Sequence, residues 1–463
     1  MRAGEISSVY FLGIGGIGMS ALARYFLYLG SKVSGYDKTP TPLTKQLGSE
    51  GMDIHYDENP DLIPHDTELV IYTPAIPSDH KEYRFILEKK LKMMKRSEVL
   101  GMISSKYFTI AVAGTHGKTT TSALIAHTLK TAGIPHLAFL GGVSKNYGTN
   151  FLIETSGSEP VVCVVEADEF DRSFLTLSPD IAIITSADAD HLDIYSTHEK
   201  MVASFVEFTG RIKKGGSLIL KTGVKVKPKK SSSYNVFSYS PDDRKIPAPT
   251  GSKTFKAAGT FIRNGVYHFD FCSPNDVWKN LTLGLPGLFN LENAVAACSA
   301  AFLLGLNSRQ IAKALKSFQG VVRRFDFQVK RRGFVYIDDY AHHPEELRAC
   351  IEAVKEMYPG KRITGVFQPH LYSRTRDLFM EFARSLDLLD EVVLLDIYPA
   401  REKPIEGVSS EMILKKLKSK NKLIIEKAEL ISCLKRLKPS VLITLGAGDI
   451  DQYITPIRRA FEK

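Results

Sequence analysis

Apolar residues follow one another without alternation in Tyr107-Phe108-Thr109-Ile110-Ala111-Val112-Ala113, and then stop at Gly114. A strand exposed on one face would alternate, so this run predicts a strand buried on both faces. Gly114-Thr115-His116-Gly117 is a glycine-bracketed turn, and a helix is expected from 118 to about 132, stopped by Gly133 with Pro135 beyond. The chain opens on the same pattern. Residues 8–12 predict a short buried strand, Gly13-Ile14-Gly15-Gly16-Ile17-Gly18-Met19-Ser20 a turn, and a helix follows to about 29, closed by Gly30. Strands are also expected at 68–72, 160–165 and 180–185, and 101–106 reads as a linker. Residues 213–286 read as an antiparallel β excursion with exposed loops and a hairpin at Asn264-Gly265. A helix returns at 288–304. Strands at 334–337, 363–367, 392–395, 423–425 and 441–445 then alternate with helices near 376–386 and 410–417. That alternation predicts a doubly wound α/β sheet.

Composition narrows the class. At 463 residues, 44% hydrophobic and 24% charged, the chain suits two to four soluble globular domains. The net charge of +10 suits nucleic acid or substrates carrying several phosphates or carboxylates. No zinc-finger spacing and no RNP-like aromatic pattern accompanies the dispersed basic residues, so anionic small molecules are the expected partners rather than nucleic acid. The basic run from Lys225 to Lys230 reads as solvated surface. Five widely spaced cysteines without a C-x-x-C fit a reducing compartment. No apolar stretch reaches the length of a membrane span, and the glycine-dense start does not suit a signal peptide, so a cytoplasmic location is expected.

Each glycine turn carries candidate chemistry. Strand, turn and helix N-terminus at 107–120 form a phosphate cradle, with backbone N–H groups and the helix dipole favouring an anion. The common phosphate-loop pattern has a Gly five residues before the Gly-Lys pair. Val112 stands there, leaving the shortened loop Gly114-x-x-Gly117-Lys118-Thr119-Thr120. Lys118 is expected at the outer phosphates and Thr119 at magnesium. In the first turn, Gly13, Gly15 and Gly18 fit G-x-G-x-x-G, and Asp37 lies 19 residues after Gly18, where a dinucleotide fold places the acid that holds a ribose. That turn is read as a second pocket, for a nucleotide diphosphate; close helix–strand packing is the plainer alternative. The Thr73-Pro74-Ala75-Ile76-Pro77 loop beyond the 68–72 strand is a candidate wall of it, or a rigid proline turn. Carboxylates and a histidine cluster at strand ends in Glu166-Ala167-Asp168-Glu169 and Asp188-Ala189-Asp190-His191. Glu166 is the chosen magnesium ligand, since that hard cation takes one or two carboxylates beside substrate phosphates; His191 is a candidate at the metal or a bound phosphate. Asn293 is read as an adenine contact or a cap. The third region carries Asp338, Asp339, His342, His343, Gln368, His370, Arg374 and Arg376 at or just beyond its first strands.

Taken in order, these motifs resemble the Mur ligases: Gly13 to Ser20, Gly114-Thr115-His116-Gly117-Lys118-Thr119-Thr120, Glu166 to Glu169, the helix around Asn293, Arg323-Arg324-Phe325 and Asp338-Asp339-Tyr340-Ala341-His342-His343-Pro344. The resemblance spans essentially the whole chain. It implies three α/β domains: a Rossmann-like one for a UDP-linked substrate at 1–104, a central ATP-binding one at 105–321, and a C-terminal Rossmann-like one for the amino acid at 322–463. Gly15, Gly16, Ile17, Gly18 and Ser20 would hold the UDP diphosphate, with Asp37, Thr73, Ala75 and Ile76 toward the uridine. Gly114 through Thr120 would hold ATP, with Asn293 and Arg324 as further contacts. Thr119, Glu166 and His191 would hold Mg2+. His342, Arg374 and the 396–399 loop would line the amino-acid side. Lys118, His191, His342 and Arg374 are the implied catalytic residues. The chain departs from the family pattern at Phe289, where His is usual, at Leu371, where Arg is usual, and at Ala341, where Gly is usual.

The reaction so implied is ATP-dependent amide formation between L-alanine and the lactyl carboxylate of UDP-N-acetylmuramate through an acyl phosphate. Three alternatives stay open at the level of sequence. One is a ligase that recycles murein peptides onto the same UDP-sugar. Another is an NAD-dependent oxidoreductase, which would leave 114–120 without a role. The third is a nucleotide-dependent binding switch.

Overall fold

The computed structural model describes residues 6–462 apart from 156, 158, 190–191, 230–232, 242–252, 264–265 and 401. Its strands form three sheets. The first has five parallel strands in the order Asp53–His55, Lys32–Tyr36, Ser8–Leu12, Leu69–Tyr72, Met93–Lys95. The second is built around Phe108–Ala113, which lies between Ile181–Ile184 and Val162–Ala167, parallel to both. Its flanks extend through Ser217–Lys221, Asn235–Ser240 and Thr254–Arg263 on one side, and through His136–Ser144 with antiparallel Thr149–Glu154 on the other. The third runs Asp326–Arg331, Phe334–Asp339, Val441–Leu445, Ile363–Phe367, Glu391–Leu394, Lys422–Ile424, parallel except at its first edge.

The chain divides into two compact units. One carries the first sheet and most of the second; the other is mainly 320–463 and carries the third. Within the first unit the two sheets are joined by the helix Ile17–Tyr28. Tyr25 sets its ring 5.7 Å from Phe139 and 6.1 Å from Phe151 of the neighbouring sheet. Arg24, itself buried, forms a paired contact with Glu50 and donates to the side-chain carbonyl of buried Asn150. The Asn150 amide in turn donates to the carbonyl of Ile17 (2.5 Å) and to Ser20 Oγ (3.0 Å).

The two runs with no alternation form central strands whose apolar side chains are buried, as their pattern requires, apart from Phe108 at the exposed start of the second. Residues 101–104 are not a linker. They form the last turn of the helix Arg96–Ser104, because Val99 and Ile103 are buried and Gly101 sits against the Thr176 carbonyl. The 213–286 region is a run of β-strands, as expected, ending in Val266–Cys272 and Val277–Leu283 at the sheet edge, but it is not antiparallel from its start. Its first three strands continue the central sheet in parallel, burying Leu218, Tyr239 and Phe255. The Asn264-Gly265 turn lies outside the described residues. Val162–Ala167 and Phe334–Asp339 run further than their apolar cores, so Glu166, Asp338 and Asp339 are strand residues. The edge strand Asp326–Arg331 had no counterpart in the pattern; only two of its six residues are buried.

Candidate active site

Both glycine corners lie beyond the carboxyl ends of central parallel strands, where open α/β sheets bind ligands. In the first, Gly13 adopts φ +87°, a left-handed value that glycine takes without strain, and its N–H and that of Ile14 both donate to the Tyr36 carbonyl. Thr73 and Ile76 pack directly on Gly13, where a Cβ would come within 2.9 Å of Thr73 Cγ2. Gly15 donates its N–H to Asp37 Oδ2 at 2.7 Å, and Thr39 N–H reaches the other oxygen at 3.2 Å. Asp37 is thus the brace of the turn as well as a candidate ribose contact. The helix Ile17–Tyr28 starts at Gly16 with no side-chain cap, so its first-turn N–H groups belong to an anion-favouring corner. Ser20, expected at the diphosphate, is fully buried and divides its hydroxyl between the Ile17 carbonyl and Asn150. It supports the corner from behind instead of lining it. Ala75 is exposed beside Thr73.

The second corner is denser. Gly114 and Gly117 have φ of +132° and +85°. The loop is braced from the end of Ile181–Ile184: Thr115 Oγ1 lies 2.9 Å from Ser186 Oγ, which accepts from His116 N–H at 2.7 Å. Lys118 opens the helix Lys118–Thr131 and turns back over the loop, with Nζ 2.6 Å from the Gly114 carbonyl and 2.9 Å from each oxygen of Glu169. Burial opposes charge on Lys118, but the carboxylates of Glu169, Asp168 and Glu166 outweigh it and hold the ammonium above the usual lysine range. Thr119 Oγ1 donates to Glu166 Oε1 at 3.1 Å, and Gly141 N–H reaches Glu166 Oε2 at 3.0 Å. Thr120 is buried in the same helical turn. Asn293 is brought to this corner, accepting from Thr121 Oγ1 at 3.1 Å and lying over Gly117, where a Cβ would meet its Oδ1 at 2.6 Å.

A hydroxyl and a carboxylate at 3.1 Å form a hard-oxygen pair that fits magnesium, which commonly takes its remaining ligands from water and phosphate. No group of three or more His, Cys, Asp or Glu that could hold a metal occurs among the described residues. His191, expected at this metal, lies outside the described residues.

The second unit carries the remaining candidates. Asp338 and Asp339, expected at the top of the first strand of this region, are there, buried and engaged. Asp338 takes Arg323 Nε at 3.1 Å and Thr444 Oγ1 at 2.6 Å. Asp339 accepts from the N–H groups of Phe325 (2.6 Å) and Ala341 (2.7 Å). Together they fix the turn at Arg323-Arg324-Phe325, where Arg323 and Phe325 have positive φ. Arg324 is carried with its guanidinium 4.9 Å from the Tyr340 ring centre. His342 meets the Tyr340 carbonyl at 3.0 Å and Glu346 at 3.3 Å, and its ring stands 5.9 Å from that of His370. His370 stacks on Tyr398 and lies 3.4 Å from Arg374. Arg376 points away to an exposed pairing with Asp377. At the departing positions, Phe289 packs on Phe325, Ala341 is fully buried, and Leu371 is buried with φ +69°.

Sequence reasoning singled out Lys118, Thr119 and Glu166, and the structure brings them together. It placed Glu169 in the acidic cluster without a partner, and it missed Gly141 and Ser186. Only Gly141-Gly142, in a strand otherwise apolar, carries a signal in the sequence.

The arrangement matches known proteins along its whole length. The Mur ligase family catalytic-domain model matches residues 8–108, the Mur ligase middle domain 112–301, and the Mur ligase glutamate ligase domain 323–448. The chain belongs to the Mur ligase family. It is 48% identical to the UDP-N-acetylmuramate–L-alanine ligase of Flavobacterium psychrophilum over 100% of both chains, and 47% identical to that of Phocaeicola vulgatus over 99% and 98%. Among solved structures it resembles UDP-N-acetylmuramate-alanine ligase from Thermotoga maritima, with a TM-score of 0.82 and 27% identity over 98% and 99% of the two chains. A murein peptide ligase from Psychrobacter arcticus shares the fold at TM-score 0.72 and 20% identity, over 98% of both chains.

Proposed function

We propose that the two glycine corners of the first unit hold the two polyanionic substrates of one ligation. The chain is an ATP-dependent, amide-forming ligase that joins L-alanine to UDP-N-acetylmuramate in peptidoglycan precursor synthesis. The observation that carries the site assignment is the second corner, where Lys118 Nζ, the Thr119 hydroxyl and Glu166 converge on one helix N-terminus.

In this reading Gly15, Gly16, Ile17 and Gly18 take the UDP diphosphate, and Thr73 to Ile76 border the uridine beside Asp37. Gly114 to Thr120 wrap the ATP phosphates, Asn293 borders the nucleotide, and Arg324 is assigned to its phosphates. A carboxylate is a poor acylating agent, so the lactyl carboxylate attacks the γ-phosphorus of ATP and ADP leaves, giving an acyl phosphate. Lys118 stabilises the negative charge spreading over the transferred phosphoryl oxygens. Thr119 and Glu166 would hold Mg2+, which supplies further charge neutralisation when bound. The alanine amine then attacks the acyl carbon, the tetrahedral intermediate expels phosphate, and the amide bond is complete. His342 and Arg374 are assigned to the amino-acid side. We divide the chain at 1–104, 105–321 and 322–463. We place the enzyme in the cytoplasm, with small-molecule partners and no nucleic acid. All five cysteines are free, and no helix among the described residues is long and apolar enough to cross a membrane.

The test is phosphate release with ATP and UDP-N-acetylmuramate across a panel of amino acids and a murein tripeptide. Release with L-alanine well above all others is expected; tripeptide-dependent release would move the chain to the peptide-recycling ligases. Phosphate release unaffected by UDP-N-acetylmuramate would overturn the assignment.

A further inference from the structure

A line of four charged side chains runs from one glycine corner of the first unit to the other. Arg96, the first residue of the helix Arg96–Ser104, lays its guanidinium on Gly18, so closely that any Cβ at 18 would overlap Nη1. Its other arm, Nη2, lies 3.4 Å from Asp168 Oδ2. Asp168 adjoins Glu169, whose carboxylate grips Lys118 at 2.9 Å. The order from corner to corner is therefore cation, anion, anion, cation. The line rests on a packed support. Thr176 Oγ1 donates to the Ser97 carbonyl at 2.9 Å, Gly101 fits against the Thr176 backbone, and Leu100, Phe174 and Leu177 share one core. Arg96, Asp168 and Glu166 also line one small recess of about 10 Å³, so Asp168 and the carboxylate of the hard-oxygen pair face common space.

We propose that Arg96 and Asp168 couple the two corners, so that the UDP-sugar on the first tightens magnesium-nucleotide on the second. The proposal rests on the assignment of the first corner to the diphosphate of the UDP-sugar. The guanidinium is 22% exposed and Asp168 36%, and a 3.4 Å contact in that setting is weak and exchangeable. A diphosphate at Gly18 is a better partner for the planar fork, which matches phosphate oxygens in pairs. As Arg96 turns to the diphosphate, the Asp168 carboxylate loses its counter-charge. The potential around Glu166 and Glu169 becomes more negative, and a divalent cation arriving with nucleotide is held more tightly. Linkage makes the effect reciprocal: nucleotide tightens the UDP-sugar by the same factor.

The experiment titrates the full-length chain with the β,γ-imido analogue of ATP and Mg2+, with and without saturating UDP-N-acetylmuramate. The readout is the ratio of the two dissociation constants, which a general loosening of either site leaves unmoved. The wild type should give a ratio in the roughly 5- to 150-fold range of coupled sites. Arg96→Gln and Asp168→Asn should each bring it near 1, the double variant should add nothing, and Arg96→Lys should retain part of it. A wild-type ratio of 1, or a ratio that survives both single variants, overturns the proposal. A direct titration in which UDP-N-acetylmuramate fails to bind the wild type would instead remove the first-corner assignment, and the coupling with it.

Discussion

At the scale of the residue, the strongest commitments are a lysine and an aspartate that the fold holds against their surroundings. Lys118 is nearly buried and faces carboxylates on one side, so its charge is secured where phosphate oxygens would accumulate charge. Lys118→Ala leaves the buried Glu169 without its cation but removes no core packing. The variant should fold, by circular dichroism, and lose about 10³-fold or more of alanine-dependent phosphate release, in line with other charge-stabilising groups at transferring phosphoryl centres. Turnover within tenfold of wild type would remove Lys118 from the mechanism. Asp339 makes a prediction about pH. Burial pushes its carboxyl up to about 6, against the attraction of Arg324 and the N–H groups of Phe325 and Ala341. Between about pH 4 and 6 the folded chain keeps a proton that the unfolded chain, titrating near the ordinary value of about 3.9, has released. The stability from this group is therefore complete below pH 4 and fades as pH rises through 6, by on the order of 3 kcal/mol. Asp339→Asn has no such titration. Relative to wild type, its deficit in denaturant midpoint should shrink between pH 4.5 and pH 7.5; a deficit that grows over that interval would contradict the assignment.

Elements explain why Glu166 is aimed where it is. Val162–Ala167 alternates its faces, so Glu166 emerges at the strand end toward the helix that starts at Lys118. The neighbouring strand His136–Ser144 passes so close that Gly141 lies flat under the carboxylate, and a Cβ there would overlap it. Gly141→Ala should therefore displace Glu166 without touching the nucleotide loop. The expected signature is a several-fold rise in the Mg2+ concentration for half-maximal activity, with kcat at saturating Mg2+ reduced less; unchanged Mg2+ dependence would separate Glu166 from the metal. This element scale is also where the sequence was most and least informative. Unbroken apolar runs exposed the two central strands, and glycines at forced left-handed positions exposed both corners. The partners of close approaches between segments distant in sequence were not legible: Gly141-Gly142 marks an approach, but nothing local marks that Glu166 fills it or that Arg96 lies on Gly18. The parallel strands after 213 were missed because a parallel connection is normally carried by a helix, and the segments linking them carry no helical periodicity. Asp338 and Asp339 were grouped with the candidate cluster because acidic residues at a strand end resemble a site; their partners, Thr444, the Arg323 side chain and the Phe325 N–H, come from elsewhere in the chain.

On the scale of the whole molecule, the first unit is one body because the helix behind the first glycine corner is bound to a strand of the next sheet. Asn150 is the keystone of that contact. Its amide satisfies the Ile17 carbonyl and Ser20, while its own carbonyl accepts Arg24, which is held in turn by Glu50. Asn150, Ser20 and Arg24 are buried, so removing the amide takes one hydrogen-bond partner from each of the Ile17 carbonyl, Ser20 and Arg24, at a cost of about 1–3 kcal/mol. The consequence should be directional. The helix N-terminus at Gly16 to Gly18 loses its anchor, whereas the second corner is braced independently through Ser186 and Asn293. Asn150→Ala should raise the KM for UDP-N-acetylmuramate several-fold and leave the KM for ATP within about twofold, with a lower unfolding temperature. Asn150→Asp tests the same geometry through charge. It removes both donations and strengthens the attraction to Arg24, so it should recover stability while retaining the UDP-sugar defect. If both variants weakened ATP and the UDP-sugar equally, the first corner would owe its position to the sheet beneath it, and the contact through Asn150 would be packing alone.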